Sequence, residues 1–207
     1  METVALGAES VIYKINQWGR AFALKWRRSK PYLLEEIDSL LRRTRTAREC
    51  RALTAARSLG IRTPAVYSLD LNDCTLTMDF VEGIQLKQYA EENPLADVRP
   101  LCDEFGRTLA RLHLGGLAHG DPTTSNVIVD EKKRLWFVDF GLSEMNATVE
   151  MKGVDMHLVR RALETTHWDK QEAMLSAVLE GYTALSGRDA ESVLTRMGEI
   201  RERGRYH

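Results

Sequence analysis

Three polar residues in one short segment have the types and spacing of a metal–phosphate site. The segment HGDPTTSNVIVDEKKRLWFVDFG covers residues 119–141 and holds Asp121, Asn126 and Asp139 in that order. The apolar runs NVIV and RLWFV flank a turn at residues 130–133 and predict a hairpin. Asp139 is expected at the end of the second strand, with Asn126 close to it. An amide oxygen beside a carboxylate suits Mg²⁺, whose remaining ligands are then phosphates and water. Asp121 lies on the loop in front, where it would accept a proton or orient a nucleophile. Each residue alone also fits a polar loop before an ordinary hairpin, but the set favours the site.

The composition sets the limits of the fold and of the function. The chain has 207 residues, of which 43% are hydrophobic and 29% charged, with a net charge of -1. This allows one domain or two small lobes and gives no overall basic field that would indicate nucleic acid. Cys50, Cys74 and Cys102 are far apart, which disfavours a disulfide framework or a zinc site and favours the cytoplasm. We expect neither a signal peptide nor a membrane span.

The order of the predicted elements indicates an α+β protein with two unequal lobes. Strands VIYKI and AFALKW flank a turn at residues 16–19, a helix follows at about residues 34–59, and AVYSLDL and CTLTMDFV are further strand candidates. Beyond Gly83 we predict helices at about residues 101–113, 154–165, 170–185 and 190–200 around the central hairpin. The predicted division is a β-rich lobe at residues 1–83 and a mainly helical lobe at residues 84–207.

The motifs HGDxxxxN and DFG resemble the protein-kinase catalytic loop HRDxxxxN and the DFG motif that follows it. The resemblance implies a minimal two-lobed kinase-like fold that binds ATP and Mg²⁺. It also implies that Lys25, in FALK, contacts the α- and β-phosphates and that Ala23 lies beside the adenine. Glu49, on the long helix, is our choice for the acid that orients this lysine. Glu35 and Glu36 compete for that role, but they lie at the helix start, where acids commonly cap.

The resemblance extends to the lobe linker and to the loop over the phosphates. The linker is TMDFVEG, in which Met78 would be the gatekeeper and the backbones of Asp79 and Val81 would bond adenine. The loop is LGAES, residues 6–10, which we call the lid. Gly7 and Ala8 in the lid are the residues expected to contact ATP.

Several positions depart from an ordinary protein kinase. Glu9 in the lid would repel phosphates unless it pairs with Lys25 or moves, and Gly120 replaces the arginine of HRD. Thr123 stands where serine/threonine kinases usually place a lysine, and the short segment after DFG has no APE motif. Asp155 matches the buried aspartate that braces the catalytic loop. ATP binding is therefore better supported than phosphorylation of a protein substrate.

Five strings together resemble the small atypical kinase and ATPase subunit of the KEOPS (EKC) complex. They are LGAES, RTAREC, HGDPTTSN, VDFGLSE and RERGRYH, and the resemblance covers essentially the whole chain, with Pro122 in place of the usual leucine. The size is similar to that of archaeal stand-alone members. The resemblance implies a role in forming threonylcarbamoyl-adenosine in tRNA, with ATP hydrolysis and autophosphorylation on serine. The implied partners are the threonylcarbamoyl-transferase subunit, a small regulatory subunit on the N-terminal lobe, and tRNA.

The basic end of the chain suggests a contact with RNA. Arg196, Arg201, Arg203 and Arg205, with Tyr206 as a stacking group, predict a mobile cationic arm that could meet tRNA phosphates. A solvated, frayed terminus is the alternative. The arginines on the long helix more plausibly form a solvated face.

Three functions compete at this stage. The first is an ATP-hydrolysing or autophosphorylating serine/threonine kinase inside a tRNA-modifying complex. The second is a small-molecule phosphotransferase, which also uses HGDxxxxN, but about seventeen residues between Gly83 and Leu101 leave little room for its substrate insertion. The third is a pseudokinase scaffold that binds ATP without chemistry. The reduced lid favours the scaffold. The complete set of Lys25, Asp121, Asn126 and Asp139 disfavours the scaffold.

Overall fold

The amino-terminal part of the protein is an antiparallel sheet with one long helix. The structure is a computed structural model that describes residues 2–7 and 9–203. Five strands are ordered β1-β2-β3-β5-β4 in the sheet, and helix α1 connects β3 to β4 along the chain. These elements are β1 (Glu2–Leu6), β2 (Ser10–Gln17), β3 (Arg20–Arg27), α1 (Glu35–Ser58), β4 (Val66–Asp70) and β5 (Thr75–Asp79).

The carboxy-terminal part is mainly helical, which confirms the predicted α+β, kinase-like arrangement. Its helices are α2 (Leu86–Glu92), α3 (Leu95–Leu114), α4 (Val149–Thr166), α5 (Gln171–Ser186) and α6 (Asp189–Arg203). Strands β6 (Ile84–Gln85), β8 (Val127–Val129) and β9 (Leu135–Phe137) form one small sheet, and β7 (Leu117–Ala118) pairs with β10 (Glu144–Met145). Within residues 2–7 and 9–203, no helix has the length and apolar character needed to cross a bilayer.

The hairpin of β2 and β3 sets which side chains face the rest of the protein. Its turn contains Trp18 and Gly19, with φ of 50° and 72°. Two successive left-handed residues suit the twist of a tight hairpin. Because side chains alternate along a strand, Ala23, Lys25 and Arg27 share one face of β3, and all three are buried.

A glycine follows the carboxy-terminal end of helix α1 closely. Gly60 has a φ of 76°, its N–H donates to the Arg57 carbonyl at 2.9 Å, and the Ile61 N–H donates to the Ala56 carbonyl at 3.1 Å. This pair of bonds satisfies carbonyls that the helix leaves open. The defined end fixes the register of α1 against the sheet, where Glu49 and Leu53 are fully buried.

Two glycines allow α3 and α5 to pack closely. A Cβ on Gly106 would overlap the Val178 carbonyl, and a Cβ on Gly181 would overlap the Asp103 carbonyl. Side chains larger than hydrogen would therefore hold the helices apart. The close packing matters for function because the end of α3 leads through β7 into the loop at residues 119–126.

Some predicted boundaries were wrong. The sequence reading did not include α2, whose seven residues are too few for a clear helical period, and it began α3 at Leu101 rather than Leu95. It also began α4 at Val154 rather than Val149. Strand β9 ends at Phe137, so Asp139 lies beyond the strand and not at its end. The left-handed backbone of Asp139, with φ of 61°, is incompatible with continued strand pairing.

Candidate active site

Lys25 on β3 lies between two carboxylates. Its Nζ donates to Glu49 Oε1 at 2.8 Å and to Asp139 Oδ1 at 2.6 Å. The lysine and glutamate side chains are 2% and 0% exposed, whereas that of Asp139 is 46% exposed. The structure thus brings together the lysine and the glutamate chosen from the sequence. The competing acids, Glu35 and Glu36, are exposed in the first turn of α1.

Arg27 joins this group, and the sequence reading missed it. Its guanidinium is buried and donates from NH2 to Glu49 Oε2 at 2.6 Å, so each oxygen of Glu49 contacts a different cation. The available signal was strand alternation, which places residues 25 and 27 on one face. The same guanidinium nitrogen lies 2.6 Å from the position that a Cβ on Gly141 would occupy. A glycine after Phe140 therefore makes room for Arg27.

The surroundings of Asp139 favour its ionised form. Burial acts to raise the pKa of Asp139, but the charge and hydrogen bond of Lys25, with the charge of Arg27, outweigh burial. The net result is a pKa below the ordinary value for aspartate. A carboxylate that stays ionised and is partly exposed to the cleft is a suitable ligand for a hard cation.

Asp121 and Asn126 form a bonded pair at the front of the same cleft. Asn126 Nδ2 donates to the backbone carbonyl of Asp121 and to its Oδ2, both at 2.9 Å. Since the amide nitrogen is engaged, Oδ1 is the Asn126 atom that could hold a cation. The Val138 N–H donates to the Asn126 carbonyl at 3.0 Å, which connects this loop to the residue before Asp139.

Asp155 holds the backbone of the loop that carries Asp121, as the kinase resemblance implies. Asp155 on α4 is buried and accepts bonds from the N–H groups of His119 at 2.6 Å and Gly120 at 2.8 Å. His113 Nε2 lies 3.1 Å from the same carboxylate, and Tyr182 OH lies 2.8 Å from His113 Nδ1. Residues from α3, α4 and α5 therefore fix the loop backbone together.

Gly120→Ala is expected to disrupt this loop. Gly120 has a φ of 84°, and a Cβ there would overlap the backbone carbonyl of Leu142. We expect unfolding free energy to fall by about 3 kcal/mol or more, because left-handed strain and overpacking add. The matched control is Gly116→Ala, which has a φ of 75° but open space around the new Cβ. Its expected cost is about 1 kcal/mol. Denaturant unfolding measures both variants. Equal losses of unfolding free energy would show that the overlap with the Leu142 carbonyl adds nothing to the cost.

His119 makes stability depend on pH below neutrality. Its ring is fully buried and stacks on Phe140, with ring centroids 4.4 Å apart. Burial lowers the pKa of His119, although the charges of Asp155, Asp139 and Asp121 act in the opposite direction. Below the ordinary pKa of about 6.5, the unfolded chain therefore binds a proton that the folded chain does not.

We accordingly expect unfolding free energy to fall as pH drops below about 6.5, by up to about 1.4 kcal/mol per pH unit from this histidine. Urea unfolding of wild type and His119→Gln at pH 7.5 and 5.5 measures the effect. The variant should show a shallower decrease between the two values, whatever its absolute stability. Identical decreases in unfolding free energy in the two proteins would show that His119 does not cause the pH dependence.

The residues expected around the adenine lie on the side of the sheet that carries Lys25. Ala23 and Met78 are opposite each other on β3 and β5, and both are buried. The side chain of Asp79 accepts bonds from the Ala65 N–H at 3.0 Å and from the Tyr67 hydroxyl at 2.9 Å. The Asp79 N–H also donates to the Ala65 carbonyl, so any backbone bond from Asp79 to adenine would use its carbonyl.

Two cavities are lined by some of the candidate residues. The larger, of about 900 Å³, lies beside the linker and includes Asp79 and Val81 in its wall. The smaller, of about 300 Å³, contains the charged set. The smaller cavity is the candidate site because charges of this kind would suit phosphate and metal binding. Its walls are formed by Gly7, Glu9, Ser10, Lys25, Arg27, Arg45, Asp121, Asp139, Gly141 and Leu142.

Glu9 in the lid pairs with cations other than Lys25. Lys30 Nζ donates to Glu9 Oε1 at 2.6 Å, and Arg45 NH1 contacts Glu9 Oε2. Two positive charges therefore neutralise the acid that the sequence reading expected to repel phosphates. The Gly7 N–H donates to the Ser10 carbonyl at 2.9 Å, which connects two residues of the lid. Ala8, the other lid residue expected to contact ATP, lies outside the described residues.

The arginines expected to form a mobile arm are instead helical where the structure describes them. Arg196, Arg201 and Arg203 belong to α6, which packs against α4. Arg203 lies 3.7 Å from Glu150 and 3.8 Å from Glu199. The described arginines of this group are therefore part of the packed helix α6. Arg205 and Tyr206, also assigned to the arm, lie outside the described residues.

Comparison with known proteins agrees with this geometry. Residues 5–170 match the ABC1 atypical kinase-like domain family. The chain is 38% identical to the KEOPS complex subunit Bud32 of Pyrococcus abyssi, over 100% of this chain and 96% of that protein. It is 36% identical to a probable bifunctional tRNA threonylcarbamoyladenosine biosynthesis protein of Methanothermobacter thermautotrophicus and 37% identical to one of Methanosarcina mazei. It spans 36% and 35% of the lengths of these two bifunctional relatives.

Proposed function

Because the chain belongs to the ABC1 atypical kinase-like family and is a homologue of the KEOPS subunit Bud32, we propose that it is a Mg-ATP-dependent serine/threonine kinase and ATPase. We propose that this activity supports formation of threonylcarbamoyladenosine in tRNA. The observation that carries the proposal is the bridging of Glu49 and Asp139 by Lys25, behind the bonded pair Asp121 and Asn126. A scaffold that only bound nucleotide would not require Asp121.

Each residue of the site has a distinct task in this proposal. Asn126 Oδ1 and the Asp139 carboxylate would hold Mg²⁺, which neutralises phosphate charge when bound. Lys25, kept in place by Glu49, would contact the phosphates. Asp121 would accept the proton of water or of a serine hydroxyl, with its carboxylate held by Asn126 Nδ2. Catalysis would then rest on positioning and charge neutralisation.

The donor set is compatible with this cofactor. Asp139 is ionised, partly exposed and already bound to a cation, the Lys25 ammonium. Asn126 and Asp139 together supply fewer oxygen ligands than the octahedral shell of Mg²⁺ requires. Phosphate oxygens and water would complete the shell, as is usual for Mg²⁺ bound with a nucleotide.

The proposed partners are those that the KEOPS resemblance implies. We propose the threonylcarbamoyl-transferase subunit as a direct partner. Two bifunctional relatives, which contain a region like this chain within a longer protein, are compatible with that proposal. Arg201, Arg203 and Arg205 are proposed contacts for tRNA. We also propose two lobes, at residues 1–83 and 84–207.

A cytoplasmic location is part of the proposal as well. The described cysteines Cys50, Cys74 and Cys102 are free.

A second partner would occupy the N-terminal lobe. Large apolar side chains are exposed at the start of α1, including Leu34 at 73% and Leu40 at 66%. Exposed apolar groups in such density commonly mark a protein interface. We propose this surface for the small regulatory subunit that the KEOPS resemblance implies.

The proposal is tested by reconstituting tRNA modification with the transferase subunit. Wild type should support threonylcarbamoyladenosine formation, and Asp121→Asn should lose it while remaining folded, because the new amide cannot accept the proton. Asp73→Asn, at an exposed turn between β4 and β5, is the matched control and should behave as wild type. Full modification with Asp121→Asn would instead favour an ATP-binding scaffold.

A further inference from the structure

Helix α1 uses one stripe of charged residues to contact three separate segments. Arg48 and Glu49 lie three and four positions after Arg45, so both are neighbours of Arg45 on the helix surface. Arg45 contacts Glu9 in the lid, and Glu49 binds the two cations of β3. Arg48 contacts Glu144 on β10, in the carboxy-terminal part. The position of the helix is therefore determined from both sides of the cleft.

The contact between Arg48 and Glu144 connects α1 to the catalytic loop. Arg48 NH1 lies 2.5 Å from Glu144 Oε1, and the two side chains are 34% and 45% exposed. Glu144 is paired in register with Ala118 on β7, directly before the loop that holds Asp121. Arg48 precedes Glu49 in the helix. A shift of α1 away from β10 would therefore move Glu49 relative to the loop.

The segment around Glu144 lacks the parts that an ordinary kinase uses for control. In protein kinases, phosphorylation of the activation loop controls the position of the helix that carries the glutamate. Here Gly120 stands where the phosphate-binding arginine of HRD would be, and Leu142 packs against it. The segment is instead tied down by the pairing of β10 with β7 and by the Ala147 N–H, which donates to the Gly116 carbonyl at 2.9 Å.

We propose that Glu144 is a positioning residue that takes the place of a regulatory phosphate. Its fixed negative charge holds Arg48, so that α1 keeps Glu49 against Lys25 without any phosphorylation of this segment. The inference rests on the proposed kinase and ATPase function for its effect on turnover. The placement of the helix is a separate consequence that does not depend on turnover.

The expected effect is on helix placement and not on global stability. Partly exposed ion pairs contribute little to unfolding free energy, so the melting temperature should change little when this one is removed. A coupling between α1 and the loop would appear as a loss of about fivefold or more in kcat for ATP turnover. KM for ATP should change less, because the adenine contacts on the linker are unaltered.

The test compares four full-length proteins: wild type, Glu144→Gln, the charge swap Arg48→Glu with Glu144→Arg, and Glu180→Gln. The last breaks the contact between Arg99 and Glu180, whose side chains are 58% and 52% exposed, and is the matched control. ADP release is measured with Mg-ATP, and hydrogen exchange of the α1 amides at residues 44–53 is measured without nucleotide. Glu144→Gln should turn over more slowly and exchange faster, the swap should restore both, and Glu180→Gln should match wild type.

Two results would overturn the proposal. The first is hydrogen exchange of residues 44–53 in Glu144→Gln that equals exchange in wild type. The second is a charge-swap protein with turnover and exchange as altered as in Glu144→Gln, which would indicate that Glu144 acts through packing and not through its charge. Absence of ADP release in wild type would refute the proposed function and not this inference. In that case hydrogen exchange of residues 44–53 still tests the role of Glu144. Faster exchange in Glu144→Gln, restored to the wild-type rate by the charge swap, would support that role.

Discussion

Asp139→Ala is expected to reduce Mg²⁺-dependent ATP turnover by at least about 100-fold while the protein remains folded. The carboxylate is ionised, bound by Lys25 at 2.6 Å, and 46% exposed, so its loss would remove the proposed anionic ligand for Mg²⁺. The fold should persist because Lys25 keeps its bond to Glu49. ADP release at a series of Mg²⁺ concentrations measures turnover, and circular dichroism checks folding.

The control for this prediction is Asp73→Ala, which removes an exposed acid from the turn between β4 and β5. It should leave turnover unchanged. Wild-type turnover in a folded Asp139→Ala protein would show that Asp139 does not hold the metal. A weaker dependence on Mg²⁺ in the variant, with residual activity, would agree with the assignment.

Acid should remove the contribution of Asp139 to stability. Because the folded pKa is lowered, the carboxylate stabilises the folded state at pH values above the unfolded pKa of about 3.9. This contribution is lost as pH falls from there through the folded pKa. The difference in unfolding free energy between wild type and Asp139→Ala should therefore be constant near neutrality and shrink below about pH 4.

Glu49→Ala is expected to lower unfolding free energy by about 3–5 kcal/mol and to lower turnover by at least about 100-fold. Glu49 is fully buried and is the shared counter-ion of Lys25 and Arg27, at 2.8 and 2.6 Å. Its removal leaves the buried Arg27 without a carboxylate partner, while Lys25 keeps only Asp139. A buried charge without a partner is costly. Turnover should fall as well, because Lys25 would no longer be oriented toward the phosphates.

Denaturant unfolding and ADP release measure the two effects of Glu49→Ala. The matched control is Glu36→Ala, an exposed acid in the first turn of the same helix. It should cost no more than about 0.5 kcal/mol and leave turnover intact. Equal stability losses in the two variants would mean that the buried contacts of Glu49 contribute nothing particular.

The sequence was most informative where the chemistry is local. Asp121, Asn126 and Asp139 lie within one segment, and the hairpin between β8 and β9 follows from two apolar runs around a polar turn. Lys25 and Glu49 could be matched because the kinase resemblance implies a lysine on a strand and a glutamate on the helix that follows. These candidate site residues could therefore be predicted from their spacing and from the kinase resemblance.

The sequence was least informative for pairings of charges on distant elements. Arg27 shares a strand face with Lys25, but its burial depends on Glu49 and on the space left by Gly141. The partners of Glu9, Lys30 and Arg45, come from different elements. Which of many possible charged pairs form depends on how β3, α1 and the lid pack together. The period of each element alone does not specify that packing.

The backbone of Asp139 is another feature that the sequence pattern did not specify. The apolar run RLWFV predicts that the strand continues to Asp139, yet β9 ends at Phe137 and Asp139 has a φ of 61°. Aspartate tolerates the left-handed region better than most residues. In this conformation Asp139 accepts a bond from Lys25, a contact over a long range of sequence that a local pattern does not specify.

The most direct test of the proposed function is Mg²⁺-dependent ADP release by wild type and Asp121→Ala, each alone and with the transferase subunit plus tRNA. Asp121 is the residue that separates an enzyme from a nucleotide-binding scaffold, since its carboxylate is held by Asn126 at the mouth of the cleft. We expect turnover by wild type that rises with the partners and is abolished in Asp121→Ala. Equal turnover by the two proteins, or bound nucleotide without any turnover in wild type, would contradict the account.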